Sequence, residues 1–436
     1  MKRWLGRVAA PADVPVLPVA GAGGRAAAEE VVLLQGVRVV DSPRAANVLL
    51  VVGRVTPALL RPLLVMHDQL PAPRATVWWP VEADDDEALR SAIPQVVVSR
   101  VGDGPGLRSV FRGLVSGARP SDPAALPDDE PAEWRGVGPY GQGGTGMTGG
   151  VPYGRPLAGR APDPDGLELD QLPLHVGPMF PPFPPGLVLH IQLQGDVIRE
   201  VAVGDNPFAN GGGRSAPGGL DTAVFVEALV VPQPLAMLEV ARARHHLRWA
   251  AGALRLLGLR GDAVRLLALA RSLGLEHRPA IDALARRLSR HRSLSWATGG
   301  VGVAAAQQVS GGPVARAAGL AVDARLDDPA YDGIDFSPVV HEGGDARARL
   351  CQRLAEAAQA LDLAERAGSR LRQPGPPLEG PRGPLVAGEP LPSAMLLALL
   401  PSLLVDQEWG DATTTVASLD LDLEEAAVGQ RAAVRA

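Results

Sequence analysis

Cys351 is the only cysteine among the 436 residues. Thiolate chemistry therefore has one sulfur to work with. An intrachain disulfide, or a metal site held by several thiolates of this chain, is excluded. Cys351 lies inside a helical pattern and reads as a small packed residue rather than a nucleophile. The eight histidines do not cluster at metal-ligand spacing. His245 and His246 are adjacent, so on a helix they point about 100° apart. One is expected to face a helix bundle and the other solvent. Asp345 and Arg349 stand at i, i+4 and are spaced to pair along one helix. GQGGTG (141–146) is a formal GxGxxG match. A dinucleotide site needs a strand before it and a helix after it, and neither flank supplies one, so the motif reads as a loop. No Walker-type GK[ST] occurs. No Ser–His–Asp arrangement follows from spacing.

The elements that must position these residues fall into two regions. Residues 31–117 read as α/β, a small doubly wound sheet. VVLLQGVRVV and ANVLLVVG are short apolar runs suited to buried parallel strands. TPALLRPLLVMHDQ is a helix with Thr56 as N-cap and Pro57 at its first position. RATVWWP is a third strand, DDDEALRSAIP a short helix, PQVVVSRV a fourth strand, and LRSVFRGLVSG a further helix. Residues 118–165 read as a Gly/Pro-rich linker by composition. From 166 an α+β domain begins, with a β-rich entrance feeding a helical bundle. LELDQLPLHVGP and GLVLHIQLQGDVIREVAVG alternate with period two, as a half-buried antiparallel sheet does. Residues 223–291 turn helical, with Val240, Ala243, Leu247, Leu254 and Leu257 as a stripe and Arg244, Arg248 and Arg255 on its flank. Leu350, Leu354, Ala357 and Leu361 repeat the stripe over 346–367.

The bulk composition narrows the function classes. The apolar fraction is 46%, enough for large cores, and the net charge is −6. Dispersed charge of that sign gives no electrostatic case for nucleic acid. The N-terminus has no long apolar core, so the expectation is a cytoplasmic chain. AMLLALLPSLLV (394–405) is too short for a span and contains Pro401.

Two stretches now carry a resemblance. SPR (42–44), ANVLLVVGRVT and QLPAPRATV resemble the B-type subunit of bacterial respiratory complex I and the small subunits of group 4 nickel–iron hydrogenases. TGGVGVAAAQQVSGGPVARAAGLAVDARLDDPAYDGIDF (298–336) resembles the D-type subunit of complex I, a relative of the hydrogenase large subunit. VVHEGGDARARLCQRLAEAAQALDLAE (339–365) and EGPRGPLVAG (379–388) continue that likeness. The resemblance implies two subunits fused end to end: a B-like domain over 1–117, the linker over 118–165 and a D-like domain over 166–436. It implies that TVASLDLDLEE forms a short terminal strand. It places Asp323, Arg325 and Tyr331 at family positions near a former cavity, and Arg316, Asp345 and Arg349 at family positions that are remnants of that cavity or structural. His246, in the run from Arg242 to His246-Leu247, matches a family helix histidine. For Arg316, Asp323, Arg325 and Tyr331 the plain reading is buried arginine–carboxylate pairing. For His246 it is a structural hydrogen bond.

What the resemblance implies chemically is mostly missing. The B family holds an iron–sulfur cluster through several cysteines. Here residues 1–30 have no cysteine, the third strand runs on as WWPVEADDD, and Asp103 in GDGPG (102–106) takes the approximate place of another. The hydrogenase CxxC pairs are absent. The entrance hairpin, rich in histidine in the D family, reads GPMFPPFPPG (177–186), with proline and phenylalanine expected to plug it. DNPFANGGGRSAPGGLDTAVFVEAL (205–229) lacks His and Tyr. No iron–sulfur or nickel–iron cofactor is expected. The leading reading is a non-redox structural, assembly or regulatory subunit of a complex I-like or group 4 hydrogenase-like assembly. Its partners would include membrane-arm subunits, and it would be peripheral at the inner face of the cell membrane. The second reading is a working NADH-quinone oxidoreductase subunit passing electrons to quinone with partner-supplied cofactors. The third is an adaptor whose proline run serves as an SH3-type ligand.

Overall fold

Short runs of Val, Leu and Trp build the first layer. The computed structural model describes residues 13–81, 87–127, 135–136, 150–151, 158–163, 166–209, 220–386 and 389–427. Its first sheet contains β1 (Val14–Ala20), β2 (Val37–Val39), β3 (Val48–Val52), β4 (Ala75–Trp79) and β5 (Val97–Val98). All neighbours pair in parallel, in the order β2-β1-β3-β4-β5. The helices among these strands are α1 (Arg25–Glu30), α2 (Pro57–Gln69), α3 (Glu87–Ala92) and α4 (Gly104–Ser116).

Both faces of the sheet are covered. Val48, Leu50, Val52, Val77 and Trp79 pack with Leu107 and Phe111 of α4. Leu49, Val51 and Trp78 enter a second core with Phe183, Leu189, Leu400 and Leu419. Burial on both faces is why these strands read as continuous apolar runs. It also ties the sheet to the C-terminal half of the chain through shared hydrophobic contact.

Two local readings need correction, and one strand lies outside those read from the sequence. β1 is a central strand that the sequence does not announce, because Pro15 and Pro18 argue against one. VVLLQGVRVV is not one strand: Val31–Leu33 is a 3₁₀ turn, Gly36 has φ 72°, and only Val37–Val39 joins the sheet. Thr56 stands at the N-cap of α2, but its hydroxyl makes no cap; Oγ1 donates to the Pro207 carbonyl at 2.9 Å.

Residues 118–127, within the stretch read as linker, pack onto the first sheet. Thr76 N donates to buried Asp122 at 2.8 Å, and Ala125 N and Leu126 N donate to Asp68 at 2.8 and 2.9 Å. Buried His67 at the end of α2 completes this seam. Its Nε2–H donates to the Pro123 carbonyl, which leaves Nδ1 to accept from the Thr76 hydroxyl at 2.7 Å. Arg135–Gly136 (β6) and Gly150–Val151 (β7) form a two-residue ladder. The GQGGTG loop lies outside the described residues.

The second sheet is antiparallel, in the order β11-β10-β9-β8. Its strands are β8 (Gly159–Pro162), β9 (Glu168–Val176), β10 (Leu189–Gln194) and β11 (Val197–Val203). β10 buries Leu189, Ile191 and Leu193 at period two. The Pro/Phe segment is the connection between β9 and β10.

The remaining helices are α5 (Leu220–Glu227), α6 (Leu235–Leu256), α7 (Arg260–Arg271), α8 (Arg278–Ser289), α9 (Arg292–Thr298) and α10 (Gly312–Ala317). They continue as α11 (Ala346–Ala367), α12 (Pro392–Leu404) and α13 (Trp409–Leu419). Leu247, Leu254, Leu266, Ile281, Leu354 and Leu361 join α6, α7, α8 and α11 in one core. α13 corrects the expected terminal strand. TTTV is β-branched, but Ala412, Val416 and Leu419 recur at helical spacing and are buried. The Thr413 and Thr414 hydroxyls are absorbed by the carbonyls four residues back, at 2.8 and 3.1 Å. Among the described residues no helix is long and apolar enough to cross a membrane.

Candidate functional site

α6 and α11 lie side by side and bring charged residues into the interior. The loops after α10 and the 378–382 turn close over them. Arg316 of α10 is fully buried and reaches three carboxylates. It holds Glu356 through two nitrogens at 2.7 and 3.1 Å, Glu379 at 2.8 Å and Asp323 at 3.0 Å. Arg325 grips Asp323 at 2.9 and 2.7 Å and reaches Glu239 at 3.3 Å. Glu239 also takes Arg242 at 3.2 Å and the Tyr331 hydroxyl at 2.5 Å. Arg242 spends its other nitrogens on the carbonyls of Glu379 and Gly380.

The charges set one another's protonation. Burial alone would raise the Glu356 carboxyl, yet Arg316 and His246 beside it hold it well below the usual range. Asp323 is likewise lowered against its burial, by Arg325 and Arg316. Glu379 shifts upward, because burial and the nearby Asp323 outweigh its share of Arg316. Burial, with Glu239 beside the phenol, pushes Tyr331 well above its ordinary value. It stays a hydrogen-bond donor.

A second knot adjoins the first. Arg353 donates to His246 Nδ1 at 3.2 Å, so the neutral ring carries its proton on Nε2, 3.2 Å from Glu356. Arg353 also reaches Asp420 at 3.1 Å and stacks over Trp249 at 4.8 Å. Asp420 accepts from His245 Nε2 at 2.7 Å and lies 3.6 Å from Arg382. Contrary to expectation, neither histidine faces solvent; they are 8% and 0% exposed. Burial pushes His245 down to about 3 and His246 to about 4, so both rings are neutral near pH 7.

Asp345 and Arg349 do not pair, which corrects the helix-spacing expectation. Asp345 is the N-cap of α11, accepting from Ala348 N at 2.7 Å and from Gly300 N at 2.7 Å. Arg349 points inward to the carbonyls of Gly344 and Gly302 and to Ser418 Oγ. Burial lowers its guanidinium to about 9, which leaves it charged at neutral pH.

Asp103 lies in the other half of the chain, as the N-cap of α4, accepting from Gly106 N at 2.9 Å. Its carboxylate serves the helix end. Replacing it by alanine is expected to cost about 1 kcal/mol of stability, read as a lowered denaturation midpoint.

The structure also shows an open cleft of about 390 Å³ between the two halves. The 178–185 segment walls one side. The end of β1, α1, Asp41, α6 with the turn after it, and the Val416–Leu421 region form the rest. Phe180, Phe183 and Trp409 pack with ring centroids 5.0 to 6.0 Å apart and pin the segment to the core. The prolines therefore border a cleft instead of filling it. At its rim Glu29 takes Arg25 at 3.0 Å and Arg248 at 2.7 Å, and Asp41 takes Arg255 and, at 3.1 Å, Arg260. Of the arginines read on the flank of α6, Arg248 and Arg255 thus tie it to the first half, while Arg244 donates to the Ala270 carbonyl at 3.2 Å. Asp420 joins cleft and ion network.

Glu239, Glu379 and Asp420 are site residues that sequence reasoning misses. The arginines at 242, 316 and 353 on helices, and at 325 and 382 in turns, are the available signal: buried guanidinium requires carboxylate. Cys351 is half-buried in α11, and burial raises its thiol. Among the described residues, no three His, Cys, Asp or Glu side chains group as a metal site.

Residues 247–387 match the family model for the 49 kDa subunit of respiratory-chain NADH dehydrogenase. That range holds Arg316, Asp323, Arg325, Tyr331, Asp345 and Arg349, and the segments 298–336 and 339–365. The NADH-quinone oxidoreductase D 2 subunit of Salinispora tropica is 39% identical over 99 residues, 21% of this chain and 25% of that protein. Its Salinispora arenicola counterpart is 38% identical over 96 residues, with the same coverage. The chain spans about a quarter of the length of these curated relatives. Among solved structures, a chain of the membrane-bound sulfane sulfur reductase, an archaeal respiratory membrane complex, aligns with TM-score 0.46 and 18% identity. The alignment covers 59% of this chain and 98% of that one. The C-terminal half of the chain is thus similar to the 49 kDa family over the matched range.

Proposed function

We propose that this chain is a non-redox structural, assembly or regulatory subunit of a complex I-like or group 4 hydrogenase-like membrane-associated oxidoreductase. In this reading residues 1–117 derive from a B-type subunit and the remainder from a D-type one. The observation that carries it is the cysteine count: a cluster held by thiolates of a B-like domain needs more sulfurs than one, and Cys351 sits on a helix of the other half. Two features support it. Asp103 is occupied as a helix cap, and the arginines and acids of the D-like stretch are spent on one another in the interior. The shared core that joins the parallel sheet to the C-terminal half suits a scaffold in which two subunits act as one body.

The open cleft favours a second reading, a subunit that still contributes to quinone reduction with cofactors supplied by partners. Iron and acid-labile sulfide on the purified chain separate the two in part; the scaffold reading expects neither. Pull-down from native membranes decides membership. Recovery with membrane-arm subunits is the expected result. Recovery of the chain by itself, or stoichiometric iron on it, overturns the proposal.

A further inference from the structure

The chain is acidic overall, yet residues 283–322 contain five arginines and no Asp or Glu. Arg316 of that set is buried in the network described above. The other four cluster at the end of α8 and the start of α9. On α8, Ile281 and Leu288 face the bundle, which turns Arg286, Arg287 and Arg290 outward. Arg287 pairs with Asp262. Arg286, Arg290 and Arg292 are exposed and have no partner among the described residues. Arg347 of α11 joins the group by donating to the Ser289 carbonyl at 2.7 Å. The nearby carboxylate of Asp345 is already engaged by two backbone N–H groups.

Trp296 is 88% exposed. It lies four residues after Arg292, on the side of α9 opposite Leu294 and Thr298, which are buried. The other indoles of the described residues behave differently. Trp78, Trp79 and Trp249 are buried, and Trp409 packs on two phenylalanines.

We infer that this face, Arg286, Arg290, Arg292 and Trp296, docks on the headgroup layer of an anionic lipid bilayer. The charge selects phosphate-bearing partners. The indole selects the kind of surface. A tryptophan anchoring a protein interface sits inside an apolar patch, with the polar groups at the rim. Trp296 stands instead among Arg292, Ser293 and Ser295. A lone amphipathic ring one helical turn from an exposed arginine suits the bilayer interface, where the ring enters the headgroup region and the cations meet lipid phosphates. The inference stands on this surface alone and does not require the partner subunits proposed above.

The test uses the full chain and protein-free vesicles, floated on a density gradient. Vesicles of phosphatidylcholine with phosphatidylglycerol are expected to carry the protein, less so as salt rises, and pure phosphatidylcholine is not. Each arginine removed weakens binding by about fivefold, so R286Q/R290Q/R292Q loses about a hundredfold. Trp296→Phe removes a blue shift of the emission that accompanies binding. Arg160→Gln, an exposed arginine on β8, leaves binding unchanged. No flotation of the wild-type chain with anionic vesicles overturns the inference. So does flotation indifferent to the triple substitution and to Trp296→Ser, or retention on immobilised polyglutamate without vesicle binding, which would assign the face to an acidic protein.

Discussion

Arg316→Ala is expected to destabilise the protein by about 4 kcal/mol, because breaking a buried ion pair strands its partners. Arg316 has no exposed surface and faces Glu356, Glu379 and Asp323 at once. Removing it leaves three carboxylates sharing fewer cations in a space that water does not reach. The ready relief is protonation, so the variant should be most impaired at high pH and partly recover in acid. Arg316→Lys should rescue little: one ammonium cannot reproduce the planar fork that takes both oxygens of Glu356 while a third nitrogen reaches Glu379. Urea denaturation of the three proteins at two pH values measures this. A loss below about 1 kcal/mol for the alanine variant would show that the interior is wet and the network dispensable.

Acid should destabilise the chain through His245 and His246. Their folded pKa values lie below the unfolded value, at about 3 and about 4, because burial opposes the charged ring more than Asp420 and Glu356 favour it. Unfolding therefore takes up protons as pH falls below about 6.5. The stabilisation is whole above that pH and is lost progressively on the way down to the folded values. For His246 alone the shift corresponds to about 3 kcal/mol. Glu424 works in the opposite sense. Its carboxyl accepts from Gly23 N at 2.9 and 3.0 Å, but burial and the neighbouring Asp422 raise it to about 7 against the pull of Arg25 and Arg54. Its folded state holds a proton that the unfolded chain has released, so stability from this group falls as pH rises from about 4.5 to about 7. His246→Gln should flatten the acid limb, and Glu424→Gln should flatten the opposing slope. Denaturation midpoints across pH 4 to 8 (~1-unit steps) resolve both. Unchanged profiles in the two variants would refute the assignment of these groups.

Much of the scaffold is legible in the sequence because it rests on local rules. The stripe of Leu350, Leu354, Ala357 and Leu361 marks α11, which spans Ala346–Ala367. Alternation marks β9 and β10, and unbroken apolar runs mark β3 and β4. Local reading fails where a tertiary partner outweighs a local preference. Pro15 and Pro18 speak against a strand that both neighbours nevertheless pair with. The terminal strand that the resemblance implied gives way to α13, where Ala412, Val416 and Leu419 find a core to enter.

The sequence by itself settled the inventory. One thiol, no metal spacing among the histidines, and arginines set within apolar helices are properties of composition and order, and no fold can alter them. Only the tertiary structure decided the pairing. Asp345 and Arg349, at ideal helical spacing, go to different partners, since a buried backbone carbonyl competes for the guanidinium and a helix end for the carboxylate. Arg316 meets Glu379 from 63 residues away, and His245 meets Asp420 from 175. Contacts of that range are chosen by how helices and turns far apart in sequence pack, because each charge taken from water must find its counter-charge wherever the packing puts one.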